Sequence, residues 1–570
     1  MEKWFVSAKK ADFQEIGKQF GIDPVIARLI RNRDVIGADA IQEYLCGTVK
    51  DIPKPGLLKG MKEAVHILEK KIAEKKKIRI IGDYDIDGVT STYILIKGLE
   101  RLGAKADTYI PDRVADGYGI HMPLIYKALE DQIDTIITCD NGIAAAKEIQ
   151  FAKEKGMTVI ITDHHEIPYK DESGERIYLL PPADAVINPK QPGCTYPNKN
   201  LCGAVVAMKL IWALYDTYHI PENEKEEYLE LAAIATVGDV MDLQGENRIL
   251  VKEGLRRLPY TKNKGLQELI RVAGLEGSRI SSYHIGFVLG PCINASGRLD
   301  TAARSLRLLQ SKESGEAARL AGDLKALNDS RKALTEKGRE AAVQLIETTE
   351  LKKDPVLVVY LPECHESLAG IIAGRIREKY NRPVFVLTKG EKCVKGSGRS
   401  IQQYSMFEEL VKCQDLLEQY GGHPMAAGLS LPEENVELLR RRLNEQCTLT
   451  EEDLVPKVMI DVPMPISYIS RSVVEQLSLL EPFGKGNTKP LFAQKNVRAL
   501  NARIIGKNHN VAKLQLMNDQ GNMIDAVYFG NVPEFMDFLS GRDRISVTYY
   551  PEINRYQGRE NLQVIIQNYC

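Results

Sequence analysis

The first half of the chain alternates between short apolar runs and segments with helical apolar spacing. The runs IRII (78–81), DTIIT (134–138) and MTVIIT (157–162) each precede a polar turn and an amphipathic segment. Strands that alternate with helices in this way predict βαβ units and a parallel sheet. We therefore predict an α/β domain over residues 61–300, preceded by a helical segment over residues 1–60.

The second half of the chain changes its pattern twice. Thr301–Glu347 is rich in Ala, Leu, Lys and Glu and lacks Pro, which predicts a nearly continuous helix over residues 301–350 that either connects two lobes or packs as an ordinary helix. PVLVVYL (355–361) begins a second α/β pattern over residues 351–450, with a small Gly-Ser-Gly loop at 396–398 of the kind that cradles phosphate. Short apolar runs at regular spacing over residues 456–570 predict a small β-barrel, for which an OB-fold is the natural candidate.

Polar residues follow three of the predicted parallel strands at the point where each strand ends. Ligands of parallel sheets bind at the carboxyl ends of the strands, so we expect these side chains to share one edge of the sheet: Asp83, Asp85, Asp87, Asp140, Asp163, His164 and His165. Asp239 follows an apolar helix and is a further candidate. Asp-Gly turns are the competing interpretation of the first motif, but three such coincidences favour a divalent-metal site. An EF-hand is excluded, because its twelfth loop position would be Ile94 instead of Glu.

Composition narrows the class of protein without naming its chemistry. The 570 residues predict three or four domains at about 150 residues each. No apolar run approaches the roughly 20 residues that a membrane-spanning helix needs. The N-terminal segment also lacks the apolar stretch that a secretory signal peptide contains. Ten cysteines without a C-x-x-C pair argue against a zinc finger or disulfide framework. We expect a cytoplasmic protein.

Charge is balanced overall and uneven locally. The net charge is −1, which excludes a protein that coats nucleic acid with a uniformly basic surface. Residues 485–515, in contrast, contain no acidic residue. Basic stripes on a neutral protein indicate a phosphate-bearing partner, with a solvated charged face as the alternative. Aromatic residues nearby would stack bases, although Phe492 is better explained as core. The predicted nucleic-acid-binding residues are Lys485, Lys489, Lys495, Arg498, Arg503, Lys507 and Lys513.

An ordered series of motifs resembles a known family. DYDIDG (83–88), TCDNG (138–142), DHH (163–165) and VGDVMD (237–242), followed by CHESLAGIIAGRI, GSGRS and GGHPMAAG, resemble the RecJ family within the DHH phosphoesterases. The resemblance implies a parallel-sheet DHH catalytic domain, a connecting helix, an α/β DHHA1 domain and an OB-fold that binds nucleic acid. It also implies a single-stranded-DNA-specific 5′→3′ exonuclease of repair and recombination, with a helicase and a single-strand-binding protein as possible partners of a monomer.

The resemblance also implies a role for each site residue. Two Mn²⁺ or Mg²⁺ ions would be held by Asp85, Asp87, Asp140, His164 and Asp239, with Asp140 between them. Asp83 would orient these ligands, and His165 would touch the scissile phosphate or the leaving group. Such ions activate water and stabilise the leaving oxygen of a phosphodiester.

Substrate-binding residues follow from the same resemblance. The terminal 5′-phosphate would be held by Arg113, Arg298, Ser397 and Arg399, since the guanidinium fork binds phosphate oxygens in pairs. His423, in a glycine-rich turn, would meet the strand near the cleavage site. Arg113 and Arg298 could instead form structural ion pairs.

Two other functions stay open at this point. One is a DHH–DHHA1 phosphodiesterase of short RNA or cyclic dinucleotides, which would not need the C-terminal barrel. The other is a catalytically silent DNA-binding scaffold, which would not need the five metal ligands.

Overall fold

The structure of the protein is a computed structural model that describes residues 2–113, 119–172, 175–506, 508–556 and 558–570. Contacts between residues divide the chain into two units. The first unit comprises Pro53–Met241 and Gly254–Pro456, and the second comprises Glu2–Ile52, Asp242–Glu253 and Lys457–Cys570. None of the helices in these described ranges is both long and apolar enough to cross a membrane.

The N-terminal residues contain a strand as well as the short helices that the sequence predicts. These elements are β1 (Lys3–Val6), α1 (Phe13–Phe20), α2 (Pro24–Asn32) and α3 (Ala38–Cys46).

The first unit begins with the predicted parallel sheet. Its elements are α4 (Met61–Ala73), β2 (Lys77–Ile81), α5 (Ile86–Arg101), β3 (Lys105–Tyr109), α6 (Met122–Glu130), β4 (Thr135–Cys139), α7 (Ala146–Glu154), β5 (Thr158–Thr162), β6 (Tyr169–Glu172), β7 (Glu175–Tyr178) and β8 (Ala185–Ile187). The strand order is β3-β2-β4-β5-β8 and every pairing is parallel. Helices cover the sheet, so β4 is buried along its whole length, as expected of a parallel sheet. The α/β prediction is confirmed.

Helices follow the sheet: α8 (Gly203–Thr217), α9 (Glu222–Glu226), α10 (Leu229–Gly238), α11 (Gly245–Arg257), α12 (Lys264–Val272), α13 (Ser282–His284), α14 (Gly290–Leu299), α15 (Ala303–Gln310) and α16 (Ser314–Thr348). A π-helical turn over Ile285–Leu289 joins α13 to α14. The single helix predicted from Thr301 is therefore interrupted. At Ser311 the backbone is extended and the hydroxyl bonds to the carbonyl of Arg307, a local bond that competes with the helix.

The first unit ends with a second, mixed sheet. Its elements are β9 (Leu357–Tyr360), α17 (Glu366–Tyr380), β10 (Val384–Lys389), β11 (Val394–Arg399), α18 (Met406–Val411), β12 (Gln419–His423), β13 (Ala426–Leu431) and α19 (Val436–Glu445). The order is β12-β13-β11-β10-β9, with only the β9–β10 pairing parallel among these strands.

Two sequence predictions about this sheet need correction. Gly396-Ser397-Gly398 lies within β11 and is not a loop, and Gly421-Gly422-His423 ends β12 before the hairpin turn. The glycines serve close packing: a Cβ at Gly398 would lie 2.3 Å from Sδ of Met406. Sequence reasoning assigned a loop because glycine is common in turns.

The C-terminal part of the second unit is a barrel. Its elements are β14 (Lys457–Ile460), α20 (Arg471–Leu477), β15 (Phe492–Ile505), β16 (Val511–Met517), β17 (Met523–Tyr528), α21 (Val532–Leu539), β18 (Ile545–Tyr556) and β19 (Arg559–Tyr569). The barrel closes in the order β15-β16-β17-β19-β18, which confirms the predicted barrel. Phe492 is fully buried, as predicted. The strand β1 pairs in parallel with β14, and α2 shares one apolar core with the barrel.

Candidate metal centre

Acidic and histidine side chains meet at the carboxyl ends of β2, β4 and β5. Within the described ranges, three overlapping groups hold their ligand atoms within 4.8 Å of one another. The groups are Asp83 with Asp85 and Asp140, Asp87 with His164 and Asp239, and Asp140 with His164 and His165. Because Asp140 and His164 each belong to two groups, the seven residues form one continuous cluster. We call it the ligand cluster.

The first motif enters the cluster through the start of α5. Asp85 is the N-cap of this helix, and its Oδ1 accepts hydrogen bonds from the backbone N–H groups of Asp87 (2.8 Å) and Gly88 (3.1 Å). Asp87 is fully buried and accepts from the N–H groups of Gly203 (2.6 Å) and Ala204 (2.8 Å) at the start of α8. Unpaired N–H groups at a helix start favour a carboxylate, so two helices hold these acids in place.

The second and third strands supply the middle of the cluster. Asp140 follows β4 with φ of 60°, a left-handed conformation that Asp tolerates better than most residues. Nε2 of His164 lies 3.0 Å from Oδ1 of Asp140, 3.6 Å from Oδ2 of Asp239 and 3.7 Å from Oδ2 of Asp87. His164 therefore stands among three carboxylates.

Burial and mutual repulsion raise the pKa values of the acids. Burial, and after it the charges of Asp87 and Asp85, raise the pKa of Asp140 well above its ordinary value. Burial and the charge of Asp85 raise the pKa of Asp83 to about 8, and burial raises the pKa of Asp87. Carboxylates crowded in a site of low polarity can all ionise only beside a compensating cation.

The hydrogen bonding of two carboxylate oxygens in the ligand cluster shows whether a metal ion could bind there. Oδ1 of Asp83 is buried and receives no hydrogen bond from the described residues. Oδ1 of Asp140 is also buried, and its approach to His164 lacks hydrogen-bonding geometry. Oxygen-rich sites with few imidazoles suit magnesium or manganese. The residues therefore fit hard divalent cations. The geometry also groups Asp83 with the possible ligands, whereas the sequence analysis predicts only an orienting role for it.

Asp163 is a residue whose role sequence reasoning missed. Its Oδ1 lies 2.8 Å from Nδ1 of His165 and accepts from the backbone N–H of His164, while its Oδ2 accepts from the N–H of Ile143. Burial would lower the pKa of His165, but the hydrogen bond to Asp163 and nearby carboxylates raise it to about 9. Asp163 thus orients His165 and favours its charged form. Its place in the DHH triplet is the signal that could have identified this role.

A second cluster collects arginines near the start of α17. Nη1 of Arg298 donates to the carbonyl of Ser367 (2.9 Å), and a Cβ at Gly370 would lie 2.9 Å from Nη2 of Arg399. The guanidinium of Arg113 lies over the ring of Tyr84, 4.9 Å from its centroid. We call Arg113, Arg298, Ser397 and Arg399 the arginine pocket.

Burial and, after it, neighbouring cations lower the pKa values of two of these arginines. Burial lowers the pKa of Arg298 to about 10, and the charges of Arg113 and Arg331 contribute. Burial and the charge of Arg113 also lower the pKa of Arg399. Arg331, on α16, was missed by sequence reasoning because nothing in a helical pattern indicates it. Cations held together beside a helix N-terminus favour an anionic ligand.

The register of the second sheet gives the relative positions of the substrate-binding candidates on β11 and β12. Ser397 pairs with Gly428 of β13, which pairs with Gly421 of β12. Arg399 pairs with Ala426, which pairs with His423. His423 is therefore two strands from Arg399 in the same row, about 10 Å away at the usual strand spacing.

Several of the basic residues predicted to bind nucleic acid in the barrel region lie close to acidic side chains in the structure. Acids from other segments reach three of them: Lys485 lies 3.6 Å from Asp242, Arg498 lies 3.6 Å from Asp543, and Lys513 lies 3.4 Å from Asp525. An acid-free run along the chain is therefore not an acid-free surface.

The other predicted nucleic-acid-binding residues occupy different positions. Nζ of Lys489 lies 3.8 Å from the ring centroid of Tyr550. Arg503 of β15 is paired directly with Lys513 of β16, and Lys495 is an exposed residue of β15. Lys507 lies outside the described residues.

The chain matches three family descriptions in the order that the motifs predict. They are the DHH family, N-terminal domain at residues 77–236, the DHHA1 domain at residues 353–449 and the RecJ OB domain at residues 460–568.

Individual proteins are similar along nearly the whole chain. The single-stranded-DNA-specific exonuclease RecJ of Bacillus subtilis (strain 168) is 37% identical over 571 residues, covering 99% of this chain and 70% of that protein. The crystal structure of RecJ from Thermus thermophilus in complex with Mn²⁺ has a TM-score of 0.85 at 31% identity, covering 100% of this chain and 79% of that one. The Mg²⁺ complex of the same protein has a TM-score of 0.79 at 29% identity, covering 100% and 78%. Similarity of this extent confirms the resemblance, and the chain belongs to the RecJ family.

Proposed function

We propose that the protein is a metal-dependent exonuclease that degrades single-stranded DNA from its 5′ end. The observation that carries this proposal is the ligand cluster, in which Asp140 and His164 connect three overlapping groups of metal-ligand atoms. Relatives named as single-stranded-DNA-specific exonucleases, and a relative crystallised with Mn²⁺ and Mg²⁺, support it.

The arginine pocket would hold the leading end of the strand. Tyr84 lies between Asp83 and Asp85 in the first motif, and its ring contacts Arg113, so the pocket adjoins the ligand cluster. Arg113, Arg298, Ser397 and Arg399 would bind the terminal 5′-phosphate, and His423 the strand near the cleavage site. An anion held at a fixed distance from the cluster would set which phosphodiester is cut.

The ligand cluster would be the site at which the phosphodiester is cleaved. Asp83, Asp85, Asp87, Asp140, His164 and Asp239 would hold two Mn²⁺ or Mg²⁺ ions, which activate water and neutralise charge on the phosphodiester when bound. Burial lowers the pKa of His165, but its hydrogen bond to Asp163 and nearby carboxylates raise it to about 9, which favours the charged imidazolium. It would face the developing negative charge on the scissile phosphate or the leaving oxygen.

The remaining predictions extend this function. The barrel would hold the single strand through Lys485, Lys489, Lys495, Arg498, Arg503, Lys507 and Lys513. The proposed domains are an N-terminal segment (1–60), the DHH domain (61–300), a connecting segment (301–350) whose long helix is α16, the DHHA1 domain (351–450) and the OB-fold (456–570). A cytoplasmic location, a monomeric state, roles in repair and recombination, and helicase or single-strand-binding partners stay predictions.

Degradation of end-labelled strands tests the proposal. With Mn²⁺, the protein should shorten a 5′-phosphorylated single strand from its 5′ end and leave a duplex intact. Asp140→Asn should abolish cleavage, because it removes the shared ligand. Mn²⁺ should raise the denaturation temperature of the wild type, since binding to the folded state stabilises it, but not that of Asp140→Asn. The control Asp537→Asn changes an exposed acid of α21 and should keep both responses.

Other outcomes would contradict the proposal in different ways. Full cleavage by Asp140→Asn would show that Asp140 is not a metal ligand on which the reaction depends. Cleavage of a dinucleotide or a cyclic dinucleotide without strand degradation would indicate a small-substrate phosphodiesterase. Strand binding without cleavage of any of these substrates would indicate a scaffold.

A further inference from the structure

Two exposed aromatic side chains are stacked on each other in the segment that leads into α14. Tyr283 and Phe287 are each 61% exposed. Their ring centroids are 5.0 Å apart and the ring planes differ by 27°. Their chain neighbours Ile285 and Leu289 are buried and already anchor the segment, so the core does not require these two rings.

The segment that carries these rings packs against elements that hold metal-ligand candidates. A Cβ at Gly286 would lie 3.8 Å from Cγ1 of Val237, two residues before Asp239. A Cβ at Gly290 would lie 3.2 Å from Cδ1 of Ile86, the residue between Asp85 and Asp87. The aromatic pair therefore adjoins the side of the cluster formed by the end of α10.

The same segment continues to the arginine pocket. Oδ1 of Asn294 accepts a hydrogen bond from the N–H of Ile86 (2.8 Å), one turn beyond Gly290, and Arg298 follows one turn later. Arg298 lies eleven positions after Phe287, about 16 Å away at the rise of an α-helix. One helical segment thus runs from the exposed rings, past the first motif, to the arginine that is proposed to bind the 5′ end.

We infer that Tyr283 and Phe287 stack against bases of the substrate strand on the 3′ side of the scissile phosphate. The inference rests on the proposed function. A strand whose 5′-phosphate lay at Arg298 and whose scissile phosphate lay at the ligand cluster would continue along this helical segment towards these rings. Flat aromatic faces bind any base, which suits a nuclease without sequence preference. The π-helical turn supports this assignment, because such turns occur frequently at functional sites.

An abasic scan tests the inference. The substrate is a 5′-phosphorylated single strand in which an abasic residue is moved one nucleotide at a time away from the 5′ end, and KM is measured with Mn²⁺. For the wild type, KM should rise by about tenfold when the missing base is one that stacks on the rings. For the double variant Tyr283→Ala/Phe287→Ala, KM should be raised on the intact strand and should no longer depend on the abasic position.

Controls separate stacking from structural effects. The exchange Tyr283→Phe/Phe287→Tyr keeps two rings and should restore the wild-type profile. Tyr260→Ala removes a ring that is 85% exposed elsewhere in the first unit and should leave the profile unchanged.

The results distinguish this inference from the function on which it rests. If the wild type leaves the intact strand undegraded, the proposed function fails. If it degrades the strand but its abasic profile is flat, the stacking role fails alone, whether or not the double variant folds. A double variant with the wild-type KM and profile would equally overturn it.

Discussion

At the scale of single residues, carboxylates shielded from solvent differ in what their surroundings require. Asp83, Asp87 and Asp140 repel one another and need a cation. Glu230 of α10 is half-buried and lies outside the ligand cluster, and it accepts a hydrogen bond from the hydroxyl of Thr261. Burial raises the pKa of Glu230 to about 7, although this hydrogen bond lowers it. Glu230 therefore couples folding to pH without a metal.

Replacing Glu230 should change how stability depends on pH. Its pKa is higher in the folded protein than its ordinary value of 4.5, so the folded state binds this proton more tightly. The stability that it contributes is complete below the ordinary pKa and is lost as pH rises through about 7. Glu230→Gln stays neutral and keeps an acceptor for Thr261.

Thermal denaturation across this pH range, with chelator present, measures the effect. Glu230→Gln should denature at a higher temperature than the wild type above neutral pH, and the difference should vanish in acid. Glu63→Gln, at an exposed position of α4, should follow the wild type. Parallel curves for Glu230→Gln and the wild type would show that this carboxyl does not titrate with folding.

At the scale of elements, helix α17 has two glycines one turn apart in different surroundings. A Cβ at Gly370 would lie 2.9 Å from Nη2 of Arg399 and 3.5 Å from Cβ of Ser397. A Cβ at Gly374 would meet no heavy atom of the described residues within 4 Å. Gly370 thus leaves room for the arginine pocket, whereas Gly374 only weakens the helix.

Alanine at each glycine should have a different effect. Gly374→Ala should raise the free energy of unfolding by about 0.5–1 kcal/mol, because alanine loses less backbone entropy than glycine in a helix. Gly370→Ala should displace Arg399 and reduce the preference for 5′-phosphorylated over 5′-hydroxyl strands. Initial rates on the two strands measure this preference, which Gly374→Ala should retain. If both variants showed the same preference for 5′-phosphorylated strands, Arg399 would not be involved in binding the 5′-phosphate.

At the scale of the whole molecule, the second unit joins the two ends of the chain. Asn487, fully buried before β15, donates to the carbonyls of Leu480 and Pro482 (2.7 Å each). Its Oδ1 accepts from Nε of Arg33 (2.7 Å) and from the hydroxyl of Tyr44 (2.8 Å). One asparagine therefore satisfies polar groups from both the N-terminal helices and the barrel region.

Asn487→Ala should destabilise this unit strongly. The substitution leaves buried polar groups without partners, and each such group costs about 1–3 kcal/mol. We expect a loss of about 3–5 kcal/mol in the free energy of unfolding, measured by urea denaturation. Asn561→Ala, at an exposed position of β19, should change it by less than about 0.5 kcal/mol. Similar losses in both variants would show that the buried network adds little.

The sequence by itself determined the parallel sheet, the barrel and the residues of the ligand cluster. These features depend on local information: an apolar run and its flanking turn specify a strand, and the carboxyl ends of parallel strands must share one edge. The position of Asp83, Asp140 and His164 at strand ends was therefore sufficient to predict that they converge. The order of the motifs was sufficient to predict the family.

Only the tertiary structure decided which residues meet across long separations in the chain. It placed Asp242, Asp543 and Asp525 beside basic residues of an acid-free run, and it put the glycines at 396 and 398 in a strand. It also packed the segment that carries Tyr283 and Phe287 against the end of α10, through Gly286 and Val237. Such contacts depend on packing between elements distant in sequence, which no local pattern encodes.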